Sequence, residues 1–211
     1  NFIQRRREHI TNWLNEDTHF PKRDAKEIGY NLSNSYRSFY LKILEFARGI
    51  AAYKEDESHQ ARMIRSWAAI SLIRGVMSSP SMAVEMLQRR HEKSVDLDEE
   101  IEVPTMEANL FEDDESFQDG FREELIDRLE LEKEQTSKAL ELSQMAEKLC
   151  NIQDDSKALT AFNLIKKWMD QGFLPIIFCK FISTANYLGE VFKKELGKKV
   201  DVQVVTSEIA D

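Results

Sequence analysis

Few residues of this chain are of types, and at spacings, that do chemistry. His9, His19, His59 and His91 are scattered, with no second histidine or cysteine three or four positions away, so a zinc site is not expected. Cys150 and Cys179 read as buried, inert thiols, one at a helix end and one in a strand. Asp98-Glu99-Glu100 and Asp113-Asp114-Glu115 resemble magnesium-binding acidic boxes in composition, but neither follows an apolar strand that would hold the carboxylates rigid. Solvated acidic runs are the better reading. No glycine-rich loop ending in Lys-Ser or Lys-Thr is present to cradle nucleotide phosphates. One local element does suggest binding. Cys179-Lys180-Phe181-Ile182-Ser183-Thr184 follows an apolar run and opens a helix. Open α/β sheets bind their ligands at such a step, where free amides, the helix dipole, hydroxyls and a lysine charge can hold a phosphate. The competing reading is that Ser183 or Thr184 merely caps the helix. Arg5-Arg6-Arg7 poses the same choice, between tracking a phosphodiester backbone and forming the wet face of a helix.

The elements that must position these residues are mostly helical. With 7 glycines and 4 prolines in 211 residues, the chain is poor in turn formers, which disfavours an all-β sandwich or barrel. Two cysteines exclude a disulfide scaffold and suggest a reducing, cytoplasmic setting. No apolar run approaches the length of a membrane span. The first residues, Asn1 to Arg7, contain neither an initiating Met nor a signal peptide, and read as a chain entered partway. The net charge of −9 is concentrated in the middle: residues 1–95 carry +5, residues 96–157 carry −15 and residues 158–211 carry +1. The central segment is therefore unsuited to a phosphate backbone, whereas both flanks remain suited to one.

Along the chain, Phe2 to Leu14 reads as a short basic helix and Lys22 to Leu32 as a candidate strand weakened by Gly29. Ser33 and its neighbours are N-cap candidates for a helix over Tyr36 to Tyr53. Met63 to Met77 and Ser81 to Lys93 form a helical hairpin around Ser78-Ser79-Pro80, a serine cap with proline in the first turn. Asp96 to Asp119 holds eleven carboxylates and no basic residue, and reads as a flexible insertion. A long charged helix is expected over Phe121 to Asn151. An amphipathic helix, Lys157 to Met169, follows, stopped by Gln171-Gly172. Phe173 to Cys179 is a continuous apolar run of buried-strand type, Ala185 to Leu196 a helix closed by Gly197, and Lys199 to Thr206 a second strand. The fold class expected is mainly α, with a short C-terminal α/β portion.

The residues also resemble a family. Arg5 to Ile10, Phe20 to Ser33 and Tyr36-Arg37-Ser38-Phe39-Tyr40 resemble the end of the first motor lobe in SWI/SNF-type superfamily 2 helicases and translocases. Ile73 to Pro80 is similar to the helix-ending Ser-Pro step of bacterial members. Ser156-Lys157-Ala158-Leu159, followed by Pro175 to Leu188, resembles the start of the second RecA-like lobe, the Ile-Phe, Thr-Ala and Tyr-Leu steps looking like helicase motif IV. Residues 94–150 match nothing in that family and look like an insertion.

The resemblance implies four parts. Residues 1–50 would be the end of lobe 1 with a helical protrusion, 51–93 a helical hairpin, 94–156 the acidic insertion with its charged helix, and 157–211 the start of a parallel RecA-like sheet. It implies a parent that couples ATP hydrolysis, with Mg, to movement on duplex DNA. This segment would be inactive alone and hold no cofactor, because the phosphate-binding and arginine-finger motifs lie outside it. Lys180, Ser183 and Thr184 would contact a DNA phosphate, and Arg5, Arg6 and Arg7 would lie near the lobe junction. No membrane partner is expected. The competing expectation is a stand-alone helical interaction protein, its acidic middle binding a basic partner.

Overall fold

A computed structural model describes residues 24–52, 58–93 and 133–207. Arg5 to Arg7, the Phe2 to Leu14 helix and the acidic insertion lie outside the described residues, as does the first part of the charged helix. Six α-helices are formed among the described residues: α1 (Asn34–Ala51), α2 (His59–Ser78), α3 (Pro80–Lys93), α4 (Lys133–Lys148), α5 (Ser156–Asp170) and α6 (Ile182–Leu196). A 3-10 turn, Gly197–Lys199, follows α6. The protein is mainly α, as its composition implies.

The local causes are visible at the helix ends. Ser33 Oγ accepts from the Tyr36 amide and starts α1. Ser58 does the same for α2 through the Ala61 amide. At the hairpin, Ser79 closes α2 with its own amide on the Gly75 carbonyl and caps α3 by accepting from the Met82 amide, 3.1 Å away. Pro80 occupies the first position of α3, where its missing N–H costs nothing. Asp155 caps α5 by accepting from the Lys157 and Ala158 amides, each at 3.0 Å. Gly172 (φ 85°) and Gly197 (φ 66°) take left-handed conformations where α5 and α6 end.

Helices α1 to α4 close into a four-helix ring, α1 touching α2 and α4, and α3 touching α2 and α4. Tyr36, Phe39, Ile43, Phe46/Ala47 and Ile50 repeat at alternating steps of three and four along α1, and all are buried. Ala69, Leu72 and Val76 on α2 and Ala139, Leu142 and Ala146 on α4 keep the same spacing, and with Ala68 on α2 and Ala83 and Leu87 on α3 they complete one core. This near-3.5 repeat is the pattern of helices packed nearly parallel as knobs into holes. The alanines let the backbones approach, and a side chain on Gly75 would collide with the Met86 sulfur of α3. Helices α5 and α6 form a separate pair joined through Phe162 and Phe192, whose rings lie 5.7 Å apart. The pair meets the ring where α6 packs on α3.

Three expectations are revised. Residues 24–33 form no strand; their side chains are largely exposed and no neighbouring strand is available among the described residues. Helix α6 begins at Ile182, three residues before the expected start, with Phe181 at the N-cap and no side-chain cap, so neither Ser183 nor Thr184 caps it. Residues 173–179 and 200–206 form no hydrogen-bonded ladder with each other. Residues 200–206 nevertheless show exposure alternating with the period of two that a strand gives, whereas 173–179 is exposed at Phe173 and Ile177 as well. Leu174 (94% exposed), Ile176 and Phe178 (93%) stand open, while Pro175 and Cys179 are half-buried. Val200, Val202 and Val204 are partly covered, and Asp201, Gln203 and Val205 face outward. Val204 Cγ2 occupies the notch left by Gly189 on α6.

The core also buries an uncompensated hydroxyl. Ser143 is 1% exposed, and its Oγ has no hydrogen-bond partner. Ser143→Ala is expected to stabilise the protein by about 1 kcal/mol, because the lone hydroxyl forfeits its hydration without return. Its neighbour Leu142→Ala should cost about 2–5 kcal/mol. Urea unfolding followed by helical circular dichroism checks both; a less stable Ser143→Ala protein would mean the hydroxyl is satisfied in solution.

Candidate nucleic-acid interface and the junction behind it

Six helix ends converge on one polar junction, and the proposed phosphate-binding loop borders it. The turn after α4 is built by Asn151. Its Oδ1 accepts from the Gln153 and Asp154 amides, and its Nδ2 donates to the Lys148 carbonyl at 3.0 Å and to Asp154 Oδ2 at 2.8 Å. Asp154 then ties this turn to the start of α1: Ser33 Oγ donates to its carbonyl at 2.6 Å, and Ser35 Oγ donates to its carboxylate. The Tyr36 hydroxyl donates to the Val76 carbonyl near the end of α2. Lys157 places its ammonium 3.0 Å from the Met77 carbonyl and 3.0 Å from that of Ser78, a cation satisfying the negative end of α2. Thr184 Oγ1 lies 2.9 Å from Ser78 Oγ and 2.8 Å from Ser79 Oγ.

Electrostatics follow burial here. Asp155 is almost wholly buried, and desolvation raises its carboxyl above the ordinary value; the Ala158 and Lys157 amides and the Tyr187 hydroxyl oppose that rise. Burial also raises the Tyr36 and Tyr187 hydroxyls, and the neighbouring Asp155 raises them further. Desolvation pushes the Cys150 thiol up to about 11, with Glu147 and Asp155 adding to it. Burial raises Cys179 too, against the pull of nearby Lys157. Both cysteines are thus protonated, weak nucleophiles, although each is half-buried rather than buried and Cys179 lies in no strand. The crevice between Tyr30, Leu32, Tyr36, Met77, Asp155 and Lys157 is too narrow to admit a water molecule. It is packing rather than a substrate pocket.

The sequence-predicted residues fall into three groups. Lys180 is exposed, its ammonium 5.9 Å from the centre of the Phe181 ring. Ser183 is half-buried in the first turn of α6, which no side chain caps, so the amides opening that helix are left to solvent or an anion. Thr184 is different. It is 4% exposed, and its hydroxyl is engaged by Ser78 and Ser79, so a phosphate would reach it only by displacing them. The structure therefore brings Lys180 and Ser183 to one exposed step and turns Thr184 inward. Asp155, Lys157 and Tyr187 were missed as a cluster. The Asp155-to-Ala158 cap was legible, but the pairing of Thr184 with residues over a hundred positions earlier was not. No group of three or more potential metal ligands exists among the described residues. No described helix is long and apolar enough to cross a membrane. No protein-family model, curated protein or solved structure matches the chain.

Adjacent carboxylates at the junction titrate in opposite senses. Hydrogen bonds from Ser35 and Asn151 hold Asp154 below the ordinary value of 3.8, so its stabilisation is complete above that value and lost as pH falls through the lowered one. Asp155, raised, contributes in reverse: its share declines as pH climbs from 3.8 through the raised value. Asp154→Ala should therefore be less stable than wild type near neutrality and converge with it in acid. Thermal denaturation across a pH series measures this; a constant gap at every pH would show that the Asp154 carboxylate plays no part.

Proposed function

We propose that this chain is the inter-lobe segment, with the leading part of the second RecA-like lobe, of an ATP-driven SWI/SNF-type DNA motor. What carries the reading is the order helix, apolar segment, helix, apolar segment over α5, 173–179, α6 and 200–206, with an uncapped helix start directly after the first apolar segment. The period-two exposure of 200–206 and the continuous apolar run of 173–179 support their being strands of one sheet. Doubly wound sheets often set consecutive strands apart with a third between them, which is consistent with the absence of a ladder here. The open row Leu174, Ile176 and Phe178 then has a use as a sheet surface awaiting cover.

In this reading the α6 amides, Ser183 and Lys180 bind a backbone phosphate of duplex DNA, and Thr184 holds the end of α6 in place. Arg5, Arg6 and Arg7 would add phosphate contacts near the lobe junction. The four-helix ring is the protrusion between the lobes. ATP and Mg belong to the parent's nucleotide site; no glycine-rich loop ending in Lys-Ser or Lys-Thr is present in this sequence to hold them. Placement in the cytoplasm goes with the same reading.

Binding of labelled duplex DNA, measured at two salt concentrations, tests this. Lys180→Ala should weaken binding and reduce the slope of log affinity against log salt by about one, the loss of a single phosphate contact. DNA binding that ignores Lys180 would remove the proposed site. Binding of a basic protein in place of DNA would favour the helical interaction module instead.

A further inference from the structure

The α5–α6 pair is attached to the four-helix ring in two chemically distinct ways. One is the covalent path through residues 149–155, folded into an Asn151-centred turn and stitched to α1 by Ser33 and Ser35 on Asp154. The other is the α2–α3 turn, where Lys157 at the start of α5 donates to the Met77 and Ser78 carbonyls, Thr184 shares hydrogen bonds with Ser78 and Ser79 across more than a hundred residues of sequence, and α6 packs on α3. The first attachment lies within seven residues of the α5 start and so acts as a pivot. The second grips the first turn of the following helix.

We propose that the Ser78–Ser79–Thr184 hydroxyl cluster is a releasable latch that fixes the orientation of the α5–α6 pair on the ring. The argument rests on the kind of contact made. The ring is held by large apolar side chains from all four helices, and opening it exposes that core. The latch is held by three hydroxyls, whose hydrogen bonds exchange readily for bonds to water and contribute little net free energy each. Val76 and Ala83, on either side of the turn, remain in the ring core whether or not Thr184 is engaged. Ser79 also keeps its bond to the Met82 amide when Thr184 departs, so release does not uncap α3. Release therefore leaves α6 held to the ring by its packing on α3, with Lys157 still anchoring the start of α5. It loosens the first turns of α6 about residues 149–155 without loosening the ring. The inference stands on this geometry alone and is independent of DNA binding.

Hydrogen exchange of the whole chain, read by mass spectrometry, tests it. Thr184→Val keeps the side-chain shape and removes the hydroxyl. Exchange in the first turns of α6 is expected to rise roughly tenfold, while Phe39 to Ile50 of α1 and Ala139 to Ala146 of α4 keep wild-type protection. Ser78→Ala removes one of the two partners and leaves the α3 cap intact; a smaller rise in the same peptides is expected, and this variant stands in if Thr184→Val does not fold. A parallel rise in ring and α6 peptides would show that the cluster merely contributes to global stability and would overturn the latch. So would unchanged exchange in α6.

Discussion

The contact on which the remaining architecture depends is the turn between α2 and α3. It has to end one helix and start the next within a single residue, and Ser79 does both with its backbone and its hydroxyl. The carbonyls left at the end of α2 are taken by Tyr36 from α1 and Lys157 from α5, and the turn's two hydroxyls meet Thr184 from α6. Every helix end gathered there has an orphaned backbone group or a buried polar one that needs a partner. Satisfying them collectively fixes how the ring and the C-terminal pair are assembled.

The division of labour is physical. Inside the ring, apolar side chains at near-3.5 spacing supply most of the cohesion, and Ser143 is the one core atom that works against it among the described residues with settled partners. At the junction the interactions are polar and directional, which gives orientation at a modest free-energy cost to undo. The Asp155 carboxylate is held there at a desolvation penalty, offset by two amides and Tyr187. Keeping an ionisable group in so enclosed a position makes sense where geometry, rather than cohesion, is being set.

Helices were legible in the sequence because their signals are local. Serine caps, the Pro80 step, Gly172 and Gly197 each act within one turn, and the apolar period of α1 names its buried face directly. The strand reading of Lys22 to Leu32 failed because alternation means little without a neighbouring strand to pair with. The start of α6 was placed late because Ser183 and Thr184 have capping side chains by type, and only the fold shows that Thr184 is spent on a distant turn. The partnership of Thr184 with Ser78 and Ser79 left no trace in the sequence, since it joins segments separated by the whole acidic insertion.

The central claim is that hydroxyl contacts at the α2–α3 turn couple the ring to the C-terminal pair, and a double-mutant cycle measures that coupling directly. Ser78→Ala, Thr184→Val and the double variant, unfolded in urea, should be non-additive, with an interaction energy of about 0.5–1.5 kcal/mol. Strict additivity would mean that the two side chains do not sense each other, and would contradict the account.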